Sequence, residues 1–169
     1  MKKIIDINMQ NRVILLFDSL RDPRDLAQMI HLGLAAETKI ELTGSSLPPE
    51  HNKVINIIES WIPNFRDEQK LSHVSIHKDF SKRILALKKQ GYKIIGTASN
   101  AKKTLFETNL SRGKHCIVFG TESSGLSKEK LSLMDEIICV PMKNNTRFFT
   151  IGTIAPVFLF EALRQKELI

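Results

Sequence analysis

The run VILLF at residues 13–17 leaves this chain few choices of fold. Consecutive large apolar residues offer no polar face to water, so a strand formed there must be covered on both sides. That requires a sheet between helix layers rather than a sheet with one wet face. The punctuation that follows agrees. Asp22-Pro23 opens a helix, with Asp22 as N-cap and Pro23 at the first helical position. Leu26, Met29, Ile30, Gly33 and Leu34 recur at helical spacing and form one buried stripe. Arg24 and His31 fall on the opposite face of that helix, towards solvent or a site.

The alternation continues down the chain. Residues 39–42 read as a second strand, GSSLPP as a turn, and Pro49 as the start of a helix carrying Val54, Ile57, Ile58 and Trp61 that ends at Pro63. Residues 74–76 read as a short third strand. Residues 81–90 read as a helix with Ile84, Leu85 and Leu87 inside, Lys88 and Lys89 in its last turn, and Gly91 as its stop. Residues 92–95 form a strand ending at Gly96-Thr97, and residues 102–110 fit one or two helical turns. Strands at 116–119 and 137–140 flank a helix capped by Ser127. Residues 151–165 make a closing helix whose first turns are weakened by Gly152 and Pro156. Strands alternating with helices predict an α/β fold, with a mainly parallel sheet and helices on both faces, in one domain over residues 1–169.

The formal charge of +7 favours a polyanionic partner, because lysine and arginine displace counterions from phosphates. Cys116 and Cys139 lie in or beside strands without metal-ligand spacing and read as small hydrophobes; no metal is expected. No stretch approaches membrane-spanning length, and Lys2 and Lys3 precede only a brief apolar pair before Asp6. A cytoplasmic protein with no membrane partner is the expectation.

The residues most informative about chemistry follow the strand at 116–119. Gly120-Thr-Glu-Ser-Ser-Gly125 has the spacing of a phosphate-binding loop, but Leu126 and Ser127 stand where a nucleotide triphosphatase needs lysine and then serine or threonine. Without that lysine nothing reaches the β- and γ-phosphates, which excludes an ATPase or GTPase. No G-x-G-x-x-G dinucleotide fingerprint is present either.

What remains is G-x-E-x-x-G-L after one strand and Val140-Pro141-Met142 after the next. With the Asp22-Pro23 helix entry, the strand from Gly91-Tyr92 to Gly96-Thr97, and Phe160-Glu161 in the last helix, the chain resembles the SpoU branch of the SPOUT RNA methyltransferases. The resemblance implies transfer of methyl from S-adenosylmethionine to a ribose 2′-hydroxyl of tRNA or rRNA, by a homodimer. It implies a C-terminal deep trefoil knot, an exception to the rule against knotted chains. It also implies a cofactor wall of Gly96, Thr97, Gly120, Val140, Met142 and Phe149. The residue types suit that role: Gly120 lets a ligand approach the backbone, while Val140 and Met142 offer apolar surface to an adenine.

Several motif positions depart from the family pattern. The first motif usually reads Asp-Pro-x-Asn-x-Gly, with an arginine six residues after the asparagine; here Asp25, Ala27 and His31 stand at those places. The last motif usually reads Ser-Leu-Asn-Val-Ser; here the aligned residues are Phe148, Phe149, Thr150, Ile151 and Gly152. Two readings are open. In one, His31 replaces the arginine as base, because imidazole exchanges protons near neutrality, Arg24 holds the phosphate beside the target ribose, and Glu122 completes the catalytic set. In the other, Phe148 and Phe149 fill the former polar site as part of the packed knot. The domain is then catalytically impaired and binds RNA or a protein partner.

Overall fold

All six residues of Val13–Asp18 (β1) are buried, and their side chains alternate between two separate cores. Val13, Leu15 and Phe17 enter the larger core; Ile14 and Leu16 enter the smaller one. Two-sided burial is what the apolar run requires, and it places β1 in the interior of a sheet with seven strands among the described residues. The other strands are β2 (Lys39–Thr43), β3 (Val74–His77), β4 (Tyr92–Thr97), β5 (Lys103–Thr104), β6 (Lys114–Phe119) and β7 (Glu136–Cys139). They lie in the order β3-β2-β1-β6-β4-β7-β5, and every neighbouring pair is parallel. The computed structural model describes residues 12–65, 71–143 and 149–169.

The helices α1 (Pro23–Ala35), α2 (Asn52–Glu59) and α5 (Ile151–Gln165) supply the larger core on one face of the sheet. On the other face, α3 (Phe80–Lys89) and the single turn α4 (Lys128–Leu131) pack with Leu126 and Met134. This is the α/β arrangement expected from the alternation.

Asp22 caps α1 as the sequence indicates. Its Oδ1 accepts from the Arg24 N–H at 2.7 Å and the Asp25 N–H at 3.2 Å, satisfying two of the donors that a helix start leaves open. Asp22→Ala is expected to lower stability by about 1 kcal/mol. Chemical denaturation checks this; an unchanged midpoint would mean the cap contributes nothing.

Three local expectations change. The second helix begins at Asn52, because His51 rather than a residue before Pro49 caps it, accepting from the Lys53 N–H at 3.2 Å. Trp61 therefore lies beyond the helix end, half-exposed, with its ring 5.7 Å from that of His31. Residues 102–110 are mainly not helical: the two-residue β5 joins the sheet edge, and a 3₁₀ turn follows at Leu105–Glu107. The closing helix, by contrast, runs from Ile151 to Gln165 straight through Pro156. Ala155, Phe158, Leu159 and Ala162 are buried along it, so core packing outweighs the local penalty.

Candidate functional site

The carboxyl ends of β6, β4 and β7 lie side by side, and each strand contributes its last residues to one cavity of about 530 Å³. Ligands in open α/β sheets bind outside the carboxyl ends of strands, at the place where strand order reverses. Here β6 lies on one side of β4 and β7 on the other. Thr97 Oγ1 donates to the Val118 carbonyl at 3.0 Å, and the Ala98 N–H donates to the Ile138 carbonyl at 3.1 Å. These bonds fix the three strand ends relative to one another.

The loop after β6 forms the wall. Gly120 is followed by a narrow turn in which Thr121 and Gly125 exchange backbone hydrogen bonds of 3.2 and 2.8 Å. A Cβ added to Gly120 would stand 2.1 Å from the Gly125 carbonyl carbon, so only glycine allows the loop to fold back there. Gly125 turns with φ +67°, and Leu126 then drops into the smaller core. Ser127 caps α4, its hydroxyl accepting from the Lys130 N–H at 3.3 Å.

Of the residues expected to hold a cofactor, Thr97, Gly120, Val140, Met142 and Phe149 line this cavity. Gly96 does not; its bare Cα faces Met134, whose Cγ would lie 2.6 Å from an added Cβ. Phe149 is 47 % exposed at the cavity mouth, which corrects the expectation that it packs in a core. Phe148 lies outside the described residues. The apolar floor comes from Ile138, Ile154 and Phe158, with Cys139 beside them. Both cysteines are free and buried. A cavity of this size, apolar with a few convergent polar groups, suits a nucleoside-sized ligand.

Glu122 also lines the cavity. Its carboxyl shares a hydrogen bond with Asp25 of α1, and the Ile151 N–H at the start of α5 donates to it. The Asp25 hydrogen bond, desolvation and the neighbouring charges of Asp25 and Asp22 push the Glu122 pKa up to about 7. Two ionised carboxylates cannot bridge; the contact holds a proton. Because the shift is upward, its contribution to stability is full below the ordinary carboxylate range and is lost as pH rises through about 7.

The other two residues expected in catalysis lie apart from this pair. Arg24 and His31 are both exposed on α1, and neither lines the cavity. Asp25, which the sequence presented only as a lost asparagine, is the α1 residue that reaches Glu122. Several basic side chains are paired with carboxylates. Arg83 binds Glu41, Lys88 binds Asp135, Lys93 and Lys103 share Glu136, and Lys130 binds Asp18. Lys128 lines the cavity.

The SpoU rRNA methylase family profile matches residues 12–160. The chain belongs to that family. Over 88 residues it is 30% identical to the 23S rRNA (guanosine-2′-O-)-methyltransferase RlmB of a Burkholderia species, covering 52% of this chain and 35% of that protein. Over 109 residues it is 29% identical to the tRNA (guanosine(18)-2′-O)-methyltransferase of Thermus thermophilus, covering 62% of this chain and 56% of that protein. The chain thus spans between about a third and three fifths of the length of these two relatives. The SpoU methyltransferase AviRb of Streptomyces viridochromogenes, solved with AdoMet, superposes with a TM-score of 0.77 at 16% identity, over 97% of this chain and 66% of that one. A structure concerned with 2-OH methylation of C/U34 on tRNA superposes with a TM-score of 0.79 at 19% identity, over 95% and 99% of the two chains. At these identities the likeness establishes the fold.

Proposed function

We propose that this chain is an S-adenosylmethionine-dependent RNA methyltransferase that modifies a ribose 2′-hydroxyl of tRNA or rRNA. The observation that carries the reading is the cavity at the ends of β4, β6 and β7, lined by Thr97, Gly120, Val140, Met142 and Phe149. The same cavity lies in a chain of the SpoU family, whose relatives named above are ribose 2′-O-methyltransferases. In this reading the cofactor supplies an electrophilic methyl group. Thr97 and the backbone at Gly120 hold its polar atoms, and Val140, Met142 and Phe149 hold its adenine. Gly96 packs against Met134 and makes no contact with the cofactor in this reading. Glu122 faces the reacting hydroxyl, while exposed Arg24 and His31 meet the RNA, Arg24 at a phosphate.

The reading includes one domain acting as a cytoplasmic homodimer, with the C-terminal segment passing through a deep trefoil knot. Val157 and Phe160, 38 % and 44 % exposed on α5, support a protein-covered surface there. Calorimetry tests cofactor binding. Saturable binding of S-adenosylmethionine at micromolar to submillimolar concentration is expected, and no heat at millimolar cofactor would contradict the reading. The replaced motif positions favour a second reading, a catalytically silent domain that keeps RNA binding. Cofactor binding without methyl transfer to any tRNA or rRNA would select it.

A further inference from the structure

Two positions that depart from the family motifs meet in space. A Cβ added to Gly152 would stand 2.0 Å from Gln28 Oε1 and 3.1 Å from Asp25 Oδ1. The space that a serine would need at the start of α5 is thus occupied by side chains of α1. Asp25 in turn is hydrogen-bonded to Glu122, which lines the cavity and takes the Ile151 N–H. The replacements at 25 and 152 therefore form one packed arrangement at the cavity mouth rather than two unrelated losses. His31, another replaced position, has its ring against Trp61 instead.

We propose that Glu122, on the cavity wall, accepts the ribose hydroxyl proton and that Asp25, hydrogen-bonded to it from α1, is its positioning residue. This rests on the ribose methyltransferase reading. As the 2′-oxygen bonds to the methyl carbon, its O–H electron pair remains on oxygen and the proton passes to the Glu122 carboxylate. The carbon–sulfur bond breaks with its electrons on sulfur, leaving a neutral thioether, and Glu122 later releases the proton to water. An ordinary carboxylate is too weak a base for this near neutrality; one that titrates at about 7 is well matched. Among the described residues, the charged groups that bear on Glu122 are Asp25 of α1 and its cap Asp22, with Lys128 on the same cavity; from the start of α5 the Ile151 N–H reaches it.

Asp25→Asn separates this role from a purely structural one. The amide donates to Glu122 without sharing a proton, so Glu122 returns to the ordinary acid range. Carbon-13 carboxyl NMR of the cofactor-free protein is expected to show Glu122 titrating near 7 in the wild type and below about 5 in the variant. With a transcribed tRNA pool and 23S rRNA fragments as probes, wild-type kcat should rise with pH to a plateau near 7 to 8. The variant should lose that inflection and at least about tenfold in plateau kcat, while its calorimetric affinity for S-adenosylhomocysteine stays within about twofold. A wild-type Glu122 titrating near 4.5 overturns the proposal, as does an Asp25→Asn pH profile that keeps its inflection. A wild type that binds cofactor but transfers no methyl at any pH overturns the underlying reading and the proton-acceptor role with it.

Discussion

Gly120→Ala is expected to abolish detectable cofactor binding and to lower stability by about 2–3 kcal/mol, the upper part of the range for forced overpacking. The added Cβ would meet backbone on its far side, with the Gly125 carbonyl carbon at 2.1 Å and the Leu126 nitrogen at 2.3 Å. Backbone cannot rotate away as a side chain can. Relief requires breaking the Thr121–Gly125 bridge or lifting Leu126 from the smaller core. Either change moves the cavity wall. Gly96→Ala is the matched control: its Cβ would meet only the flexible Met134 side chain, whose thioether can shift. That variant should stay within about 1 kcal/mol of the wild type and keep its affinity. Paired urea titrations and calorimetry read both effects. Full cofactor affinity in Gly120→Ala would show that the loop does not form the wall.

The second large effect lies away from the cavity. Glu41 on β2 is 2 % exposed and faces the guanidinium of Arg83 from α3, with Nε 2.6 Å from Oε2 and a second, shorter contact to Oε1. His77 lies 3.5 Å from the same carboxylate. Arg83→Met leaves a buried carboxylate without its main partner, and a loss of about 3–5 kcal/mol is expected. Adding Glu41→Leu removes the stranded charge and should recover most of it, since an apolar pair of similar volume often replaces a buried ion pair at little cost. Urea midpoints decide this; a loss below about 1 kcal/mol for Arg83→Met would mean water already solvates the carboxylate.

These two effects also mark what a linear reading could reach. The two-sided burial of β1, the Asp22 cap, the Gly91 stop and the span of α5 follow from periodicity and cap chemistry within a few residues. The wall residues came from the family resemblance, and the fold gives the reason they meet: Thr97, Gly120 and Val140 lie at strand ends, which in a parallel sheet gather at one edge. The pairing of Asp25 with Glu122, the crowding of Gly152 by Gln28, and the ion pair of Glu41 with Arg83 were not legible. Each joins segments distant in the chain, and nothing local marks which carboxylate will meet which partner. The start of α2 was misplaced because Pro48-Pro49 is a stronger local signal than a capping histidine. Paired prolines mark the turn, while the His51 cap is visible only in three dimensions.

The departures at Asp25, His31 and Gly152 make methyl transfer itself the point on which the account rests. The direct measurement is incubation of the protein with S-adenosylmethionine carrying a deuterated methyl group and with unmodified tRNA and 23S rRNA, followed by digestion to nucleosides and mass spectrometry. A deuterated 2′-O-methyl nucleoside that is absent from the Glu122→Gln reaction is the predicted result. Cofactor bound but no labelled nucleoside formed, or label found only on a base, would contradict it.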